Sequence, residues 1–240
     1  MKFKALYSVI FVVILASCSE FRYSTKVFDT TIILDSTYKS NNELEYKSMK
    51  TNEDNTVTIN YFNNENIQIS SITYRDTIDY YTVGVSKYWY PDGKIKRIVP
   101  RDNEGNFDGE LISYYNNGVV KRRDIYSKGE LKSCKCYDST GKESKYFPYE
   151  VFPEMDLALF NSCIQYPEAM RRLDIQEKVI IKVWVGDNDK AVKLQYDSHN
   201  SKAFIEEIHK CIKASQFKSA KIDGEPVGCW MTIPIKFSLQ

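Results

Sequence analysis

Histidine and proline are scarce in this chain, and each scarcity removes a class of explanation. Only His199 and His209 are present, too few to complete a zinc centre of the usual cysteine and histidine sets. No proline occurs before Pro91, which excludes a stiff polyproline spacer from everything upstream of it. An excess of one charge is missing as well. The 33 basic and 32 acidic side chains leave no electrostatic footprint for nucleic acid. No Ser/His/Asp order, paired-carboxylate motif or phosphate-cradling loop stands out. Cys163, Cys211, His199 and His209 hold the ingredients of a thiol nucleophile, but Cys211 and His209 stand two apart on an expected helix and face differently. A non-catalytic protein without metal or cofactor is therefore expected. Apolar runs are short too: the stretch from Ala5 to Leu15, broken only by Ser8, falls below the roughly 20 residues that a bilayer-spanning helix needs.

That stretch follows two basic residues, Lys2 and Lys4, and a basic start before a short apolar run is the pattern of a secretion signal. It ends in Leu15-Ala16-Ser17-Cys18, which resembles a bacterial lipobox. The resemblance implies that residues 1–17 are removed and that Cys18 carries the lipid, with acyl chains enough for stable membrane attachment. Without the leader, 31 basic and 32 acidic side chains remain, still balanced. Ser19 stands where many lipoproteins retained at the inner membrane have aspartate. The expected address is the cell envelope, lipid-anchored at the outer membrane and facing the periplasm. Residues 18–60 are polar, with one apolar burst at Ile32-Ile33-Leu34, and predict a tether followed by the first strands.

Five cysteines remain after Cys18: Cys134, Cys136, Cys163, Cys211 and Cys229. An envelope location permits disulfides, and an odd count leaves at least one thiol unpaired within a monomer. Cys134 and Cys136 are two apart, so on a strand they share a face. A structural role is the expectation, as buried thiols or as one or two bridges of open pairing.

Residues 61–147 repeat themselves. Tyr90-Pro91-Asp92-Gly93-Lys94-Ile95 echoes Tyr115-Asn116-Asn117-Gly118-Val119-Val120. Weaker copies begin at Tyr137 and Tyr61, and Gly109-Glu110-Leu111 and Gly129-Glu130-Leu131 open further strands. An aromatic strand, an Asp/Asn-Gly turn and a returning strand make a hairpin, because glycine accepts the positive φ of the turn. The run resembles MORN-type repeats, which implies hairpins stacked into one elongated antiparallel sheet. Tyr88, Trp89, Tyr90, Tyr114 and Tyr115 are expected to pack between hairpins rather than to bind, and Lys121-Arg122-Arg123 to form a solvated face.

Residues 152–240 read as α-α-β-β-α-β, an α+β sandwich with helices over one face of a small antiparallel sheet. The expected helices are Met155–Cys163, a second from Tyr166-Pro167 with Ala169, Met170 and Leu173 inward, and Lys202–Ala214. The expected strands are Val179–Val185, Ala191–Tyr196 and Gly228–Leu239, with turns at 186–189 and 223–224. Phe152-Pro153, Tyr166-Pro167 with Ala169, Ile175 with Val179, Phe217, Gly224-Glu225-Pro226-Val227 and Ile233-Pro234-Ile235-Lys236-Phe237 together resemble the TonB C-terminal domain. Glu177, Lys190 and Ser219 depart from that pattern, at positions where the family has glycine, glycine and proline.

The resemblance implies a module that binds a short peptide of an outer-membrane transporter by strand addition. The edge it points to is the last strand, with Cys229, Trp230, Met231, Thr232 and Ile233 as partner-binding residues. A neighbouring element of the chain, or a second copy in a homodimer, could cover that edge instead. A TonB energy transducer has a motor-contacting membrane helix and a proline-rich rod, and this chain shows neither pattern. The expected function is a lipid-anchored, non-catalytic periplasmic module for protein or peptide binding. The alternative is an accessory component of TonB-dependent transport.

Overall fold

The computed structural model describes residues 46–239 except 53–55, 64, 76–80 and 198. The leader, Cys18 and the tether up to residue 45 lie outside the described residues. The described chain divides into two units, one ending at Phe147 and the other beginning at Pro148.

Hairpin follows hairpin through the first unit. The strands are β1 (Tyr46–Thr51), β2 (Val57–Phe62), β3 (Gln68–Tyr74), β4 (Thr82–Trp89), β5 (Ile95–Arg101), β6 (Gly109–Tyr114), β7 (Val120–Ser127), β8 (Glu130–Tyr137) and β9 (Glu143–Ser144). They lie in chain order in one nine-stranded antiparallel sheet. The turns repeat bond for bond. Tyr90 N–H donates to Lys94 O and Gly93 N–H to Tyr90 O, and Tyr115–Val119 and Asp138–Lys142 repeat both bonds. Gly93, Gly118 and Gly141 hold φ of 80°, 84° and 89°, a region nearly closed to other residues. In the turn Asn63–Ile67, which has the same bonds, Asn66 takes that place at φ 60°, as asparagine tolerates.

These bonds shift the weaker copies. Asp138, not Tyr137, is equivalent to Tyr90 and Tyr115, and Asn63, not Tyr61, begins the first copy. The tyrosine hydroxyls tie each turn to the next: Tyr90 donates to Tyr114 O at 2.7 Å and Tyr115 to Tyr137 O at 2.8 Å. Asn117 Nδ2 adds a bond to Ser139 O at 2.9 Å. The Tyr90 and Tyr115 side chains thus serve the stacking of hairpins.

Lys121-Arg122-Arg123 departs from expectation. The side chains do alternate, but Arg122 is completely buried. Its Nε lies 3.4 Å from Oδ2 of the equally buried Asp124, and Nη2 donates to Phe147 O. The register sets Arg122 in a row that crosses the sheet through Tyr88, Arg97, Ser113 and Cys136. Arg97 stacks on the Tyr88 ring at 4.0 Å. The row places charge where a strand face is usually aliphatic, and only the alternation was visible in the sequence.

In the second unit the elements are β10 (Glu150–Val151), β11 (Glu154–Met155), α1 (Leu157–Cys163), α2 (Glu168–Arg172), β12 (Glu177–Val185), β13 (Ala191–Tyr196), α3 (Lys202–Ala214), β14 (Phe217–Lys218), β15 (Ala220–Ile222), β16 (Glu225–Val227) and β17 (Cys229–Phe237). The principal sheet has the order β13-β12-β17. Val179, Ile181, Val183 and Val185 of β12 meet Phe204, Ile208, Cys211 and Ile212 of α3 in one buried core. Phe204 stacks on Phe237 at 4.2 Å, and Tyr166 meets both rings edge-on. The expected order is present, with two corrections. Met155 belongs to β11, paired with Phe217 of β14, and the first helix starts at Leu157, capped by Asp156 accepting from Leu159 N–H at 2.9 Å. The second helix is too short to bury a full face: Met170 packs on the core, but Ala169 is exposed and Leu173 is 66% exposed. The short pairs β10–β15, β15–β16 and β11–β14 lack a run long enough to show alternation.

Cys163 and Cys211 form a disulfide between α1 and α3 with Cα atoms 5.5 Å apart. Cys134, Cys136 and Cys229 stand outside any disulfide.

Two outcomes follow for stability. Asp124→Leu should cost about 3–5 kcal/mol, because it strands the Arg122 charge in the interior, whereas Arg122→Met combined with Asp124→Leu should recover most of that loss. Urea titration of the three chains measures both. Cys163→Ser with Cys211→Ser should cost about 2–4 kcal/mol, since the bridge closes a loop with 48 residues of separation. Thermal unfolding with and without reductant should show the loss in the parent chain alone.

Candidate functional site

Strand β17 carries the five residues expected to bind a partner. It pairs with β12 along its whole length, from Val185↔Cys229 to Glu177↔Phe237. On its other side it has no neighbouring strand among the described residues. The pairing sorts the five by the two-residue period of a strand. Cys229 and Ile233 are buried and Met231 packs against the core. Trp230 and Thr232 are half-buried and point to the opposite face, away from the helices that pack on the core. They do not form a side-chain pocket. What they share is a length of backbone at the edge of a sheet.

Pro234 sets the polarity of that edge. Proline has no N–H to give to a ladder, so within a sheet it is placed where that group would face away from the neighbour. Residues two apart face the same way, which assigns the N–H and C=O of Trp230 and Thr232 to the open side and those of Met231 and Ile233 to β12. An added strand would therefore meet donors at 230 and 232, and a missing donor at 234. The proline limits the usable edge to the segment that precedes it.

The start of the strand is held by Trp184 of β12. Its ring meets Trp230 across the pair at 5.4 Å, tilted by 69°. Gly228 lies beneath it: a Cβ there would come within 2.5 Å of Trp184 Cζ2. The absent side chain of Gly228 thus gives the indole its seat. This feature went unnoticed in the sequence, where the only signal was a glycine immediately before a strand.

Two of the three departures from the family pattern, Glu177 and Ser219, acquire roles. The Glu177 carboxylate accepts from Ser201 N–H at 3.2 Å and from Asn200 Nδ2 at 2.6 Å. Ser201 is the N-cap of α3 and makes no side-chain cap bond of its own, so an acid from the neighbouring strand satisfies the helix start. Ser219 is buried; its hydroxyl donates to Asp189 Oδ1 at 2.5 Å, with Gly186 O a competing acceptor at 2.8 Å. Its N–H donates to Asp189 Oδ1 at 2.6 Å. Asp189 sits in the β12–β13 turn at φ 62°. The Ser219 hydroxyl above all, then its N–H, holds the Asp189 carboxyl below the usual carboxylate range, with Lys221 and Lys218 adding to the effect.

The thiol and imidazole groups do not converge. Cys211 is bonded to Cys163, His199 pairs with Asp197 at 2.7 Å, and His209 meets the Tyr196 ring. No group of three or more metal-ligating side chains gathers among the described residues. No helix among them is long and apolar enough to cross a membrane.

Residues 163–239 match the family model described as Gram-negative bacterial TonB protein C-terminal. The match takes in α2, β12, β13, α3 and the whole of β17, about a third of the chain. No curated protein and no solved structure matches the chain. The match begins later than the expected boundary at 152, yet β11 and α1 belong to the same unit and Met155 and Phe160 to the same core.

The Asp189 contact makes a signed prediction. A carboxyl with a lowered folded pKa adds stability that is present above its unfolded pKa and lost as pH falls through the folded value. Ser219→Ala should move the Asp189 titration up toward the ordinary range and shift acid unfolding of this unit to higher pH. Carbon-detected NMR titration of Asp189 checks the first effect, and an unchanged titration would contradict the assignment.

Proposed function

We propose that the chain is a non-catalytic, lipid-anchored envelope protein whose C-terminal domain binds an extended peptide or protein segment by strand addition to β17. The observation that carries the reading is that β17 has no second neighbouring strand among the described residues, within a segment, 163–239, that matches the TonB C-terminal family model. Backbone groups at Trp230 and Thr232 supply the hydrogen bonds, and few side chains need to be specified. The Cys163–Cys211 bridge supports an oxidising compartment. The basic start, the short apolar run and the lipobox at Cys18 support attachment at the outer membrane, facing the periplasm. The hairpin unit, read as MORN-like, serves as spacer or as a second interaction surface. In this reading the anchor at Cys18 holds the domain in place, and the domain docks rather than transmits force.

The family match favours one ligand class in particular, the docking peptide of a TonB-dependent transporter, and with it the role of an accessory component of that uptake system. Calorimetry of the chain from Ser19 to Gln240 with such peptides separates the two versions. Binding that is abolished by Thr232→Pro, which removes a donor from the open edge, supports the transporter role. If these peptides give no heat, and pull-down with the same chain captures no envelope protein, strand addition at β17 is wrong.

A further inference from the structure

The sheet β13-β12-β17 has a second face, opposite the helices. The register fixes its occupants: Lys178, Ile180, Lys182 and Trp184 from β12, Trp230, Thr232, Pro234 and Lys236 from β17, and Lys193 and Gln195 from β13. The four lysines are exposed. No acidic residue stands among these ten, although acids match bases in the chain as a whole. Ile180 is 48% exposed, and Val192, at the bulge in β13 beside this face, is 58% exposed. The two indoles form the tilted pair already described.

We propose that this face docks flat on an anionic lipid surface. Basic side chains next to acidic headgroups are attracted within a Debye length, and tryptophan is the side chain that settles at the level of the headgroups. Half-exposed Ile180 and Val192 add apolar area between the charges. The distribution of the lysines favours an extended surface over an acidic peptide. Strands lie about 4.8 Å apart, so a strand added outside β17 would be roughly 10 Å from Lys178 and Lys182 on β12. Such a peptide would leave those two lysines out of reach, whereas a flat layer of headgroups meets the whole face at once. The inference does not depend on strand addition, which uses the edge of β17 and not this face.

The test uses the chain from Ser19 to Gln240, made without leader or acyl group, and carrying Trp89→Phe so that only Trp184 and Trp230 report. Vesicles of phosphatidylglycerol and phosphatidylcholine at three to seven are compared with phosphatidylcholine alone. Expected are co-sedimentation and a blue shift of emission with the anionic vesicles only, reversed by high salt. Changing Lys178, Lys182, Lys193 and Lys236 to Gln should weaken binding by roughly fivefold per lysine. Brominated lipids should quench the indoles of the chain with all four lysines intact, a readout that needs no lysine variant to fold. Equal binding to both vesicles, absence of quenching, or undiminished binding by a folded four-lysine variant would overturn the proposal.

Discussion

Val179, Ile181, Val183 and Val185 on β12 lie opposite Ile235, Ile233, Met231 and Cys229 on β17, and this nine-residue antiparallel pairing governs the C-terminal unit. It turns one set of side chains of both strands into the core under α1 and α3. The same alternation sends Trp184, Trp230 and the lysines to the other face. Because β12 is also occupied by β13, β17 is left at the edge. A one-residue slip would exchange the two faces completely, so register is held by the burial of at least eight apolar side chains. The seat of Trp184 on Gly228 reinforces it at one end, and the stack of Phe237 on Phe204 at the other.

The hairpin unit solves a different problem with the same backbone pattern. A hairpin cannot bury its own face, and here the turns at 90–94, 115–119 and 138–142 are fastened in succession by a tyrosine hydroxyl or an asparagine amide. The sheet carries a buried Arg122–Asp124 pair where an aliphatic pair would often be as stable or more so. Both charges lie on β7 and move together, so it is the bond from Arg122 to Phe147 O that ties the pair to its place in the sheet.

Long periodic segments were legible in the sequence. Ala191–Tyr196 and Lys202–Ala214 have the bounds expected, because alternation and the 3.6-residue period run over enough residues to declare themselves. The short pairs β10–β15, β15–β16 and β11–β14 were not legible, since two or three residues cannot show a period. Leu173 was expected inside and lies outside because a five-residue helix turns too few times to keep one side covered. Arg122 was expected in solvent, because charge usually outweighs position; the partners Asp124, Cys136 and Phe147 make its burial tolerable. The edge of β17 was anticipated from the resemblance, but the limit set by Pro234 and the support from Gly228 needed the pairing itself.

The central claim is that the backbone of β17 is open at Trp230 and Thr232. Hydrogen exchange of these amides, followed residue by residue by NMR in the chain from Ser19 to Gln240, tests it most directly. The account predicts fast exchange at Trp230 and Thr232 beside slow exchange at Met231 and Ile233, which face β12. Slow exchange at all four in the protein alone would show the edge already covered and would contradict it.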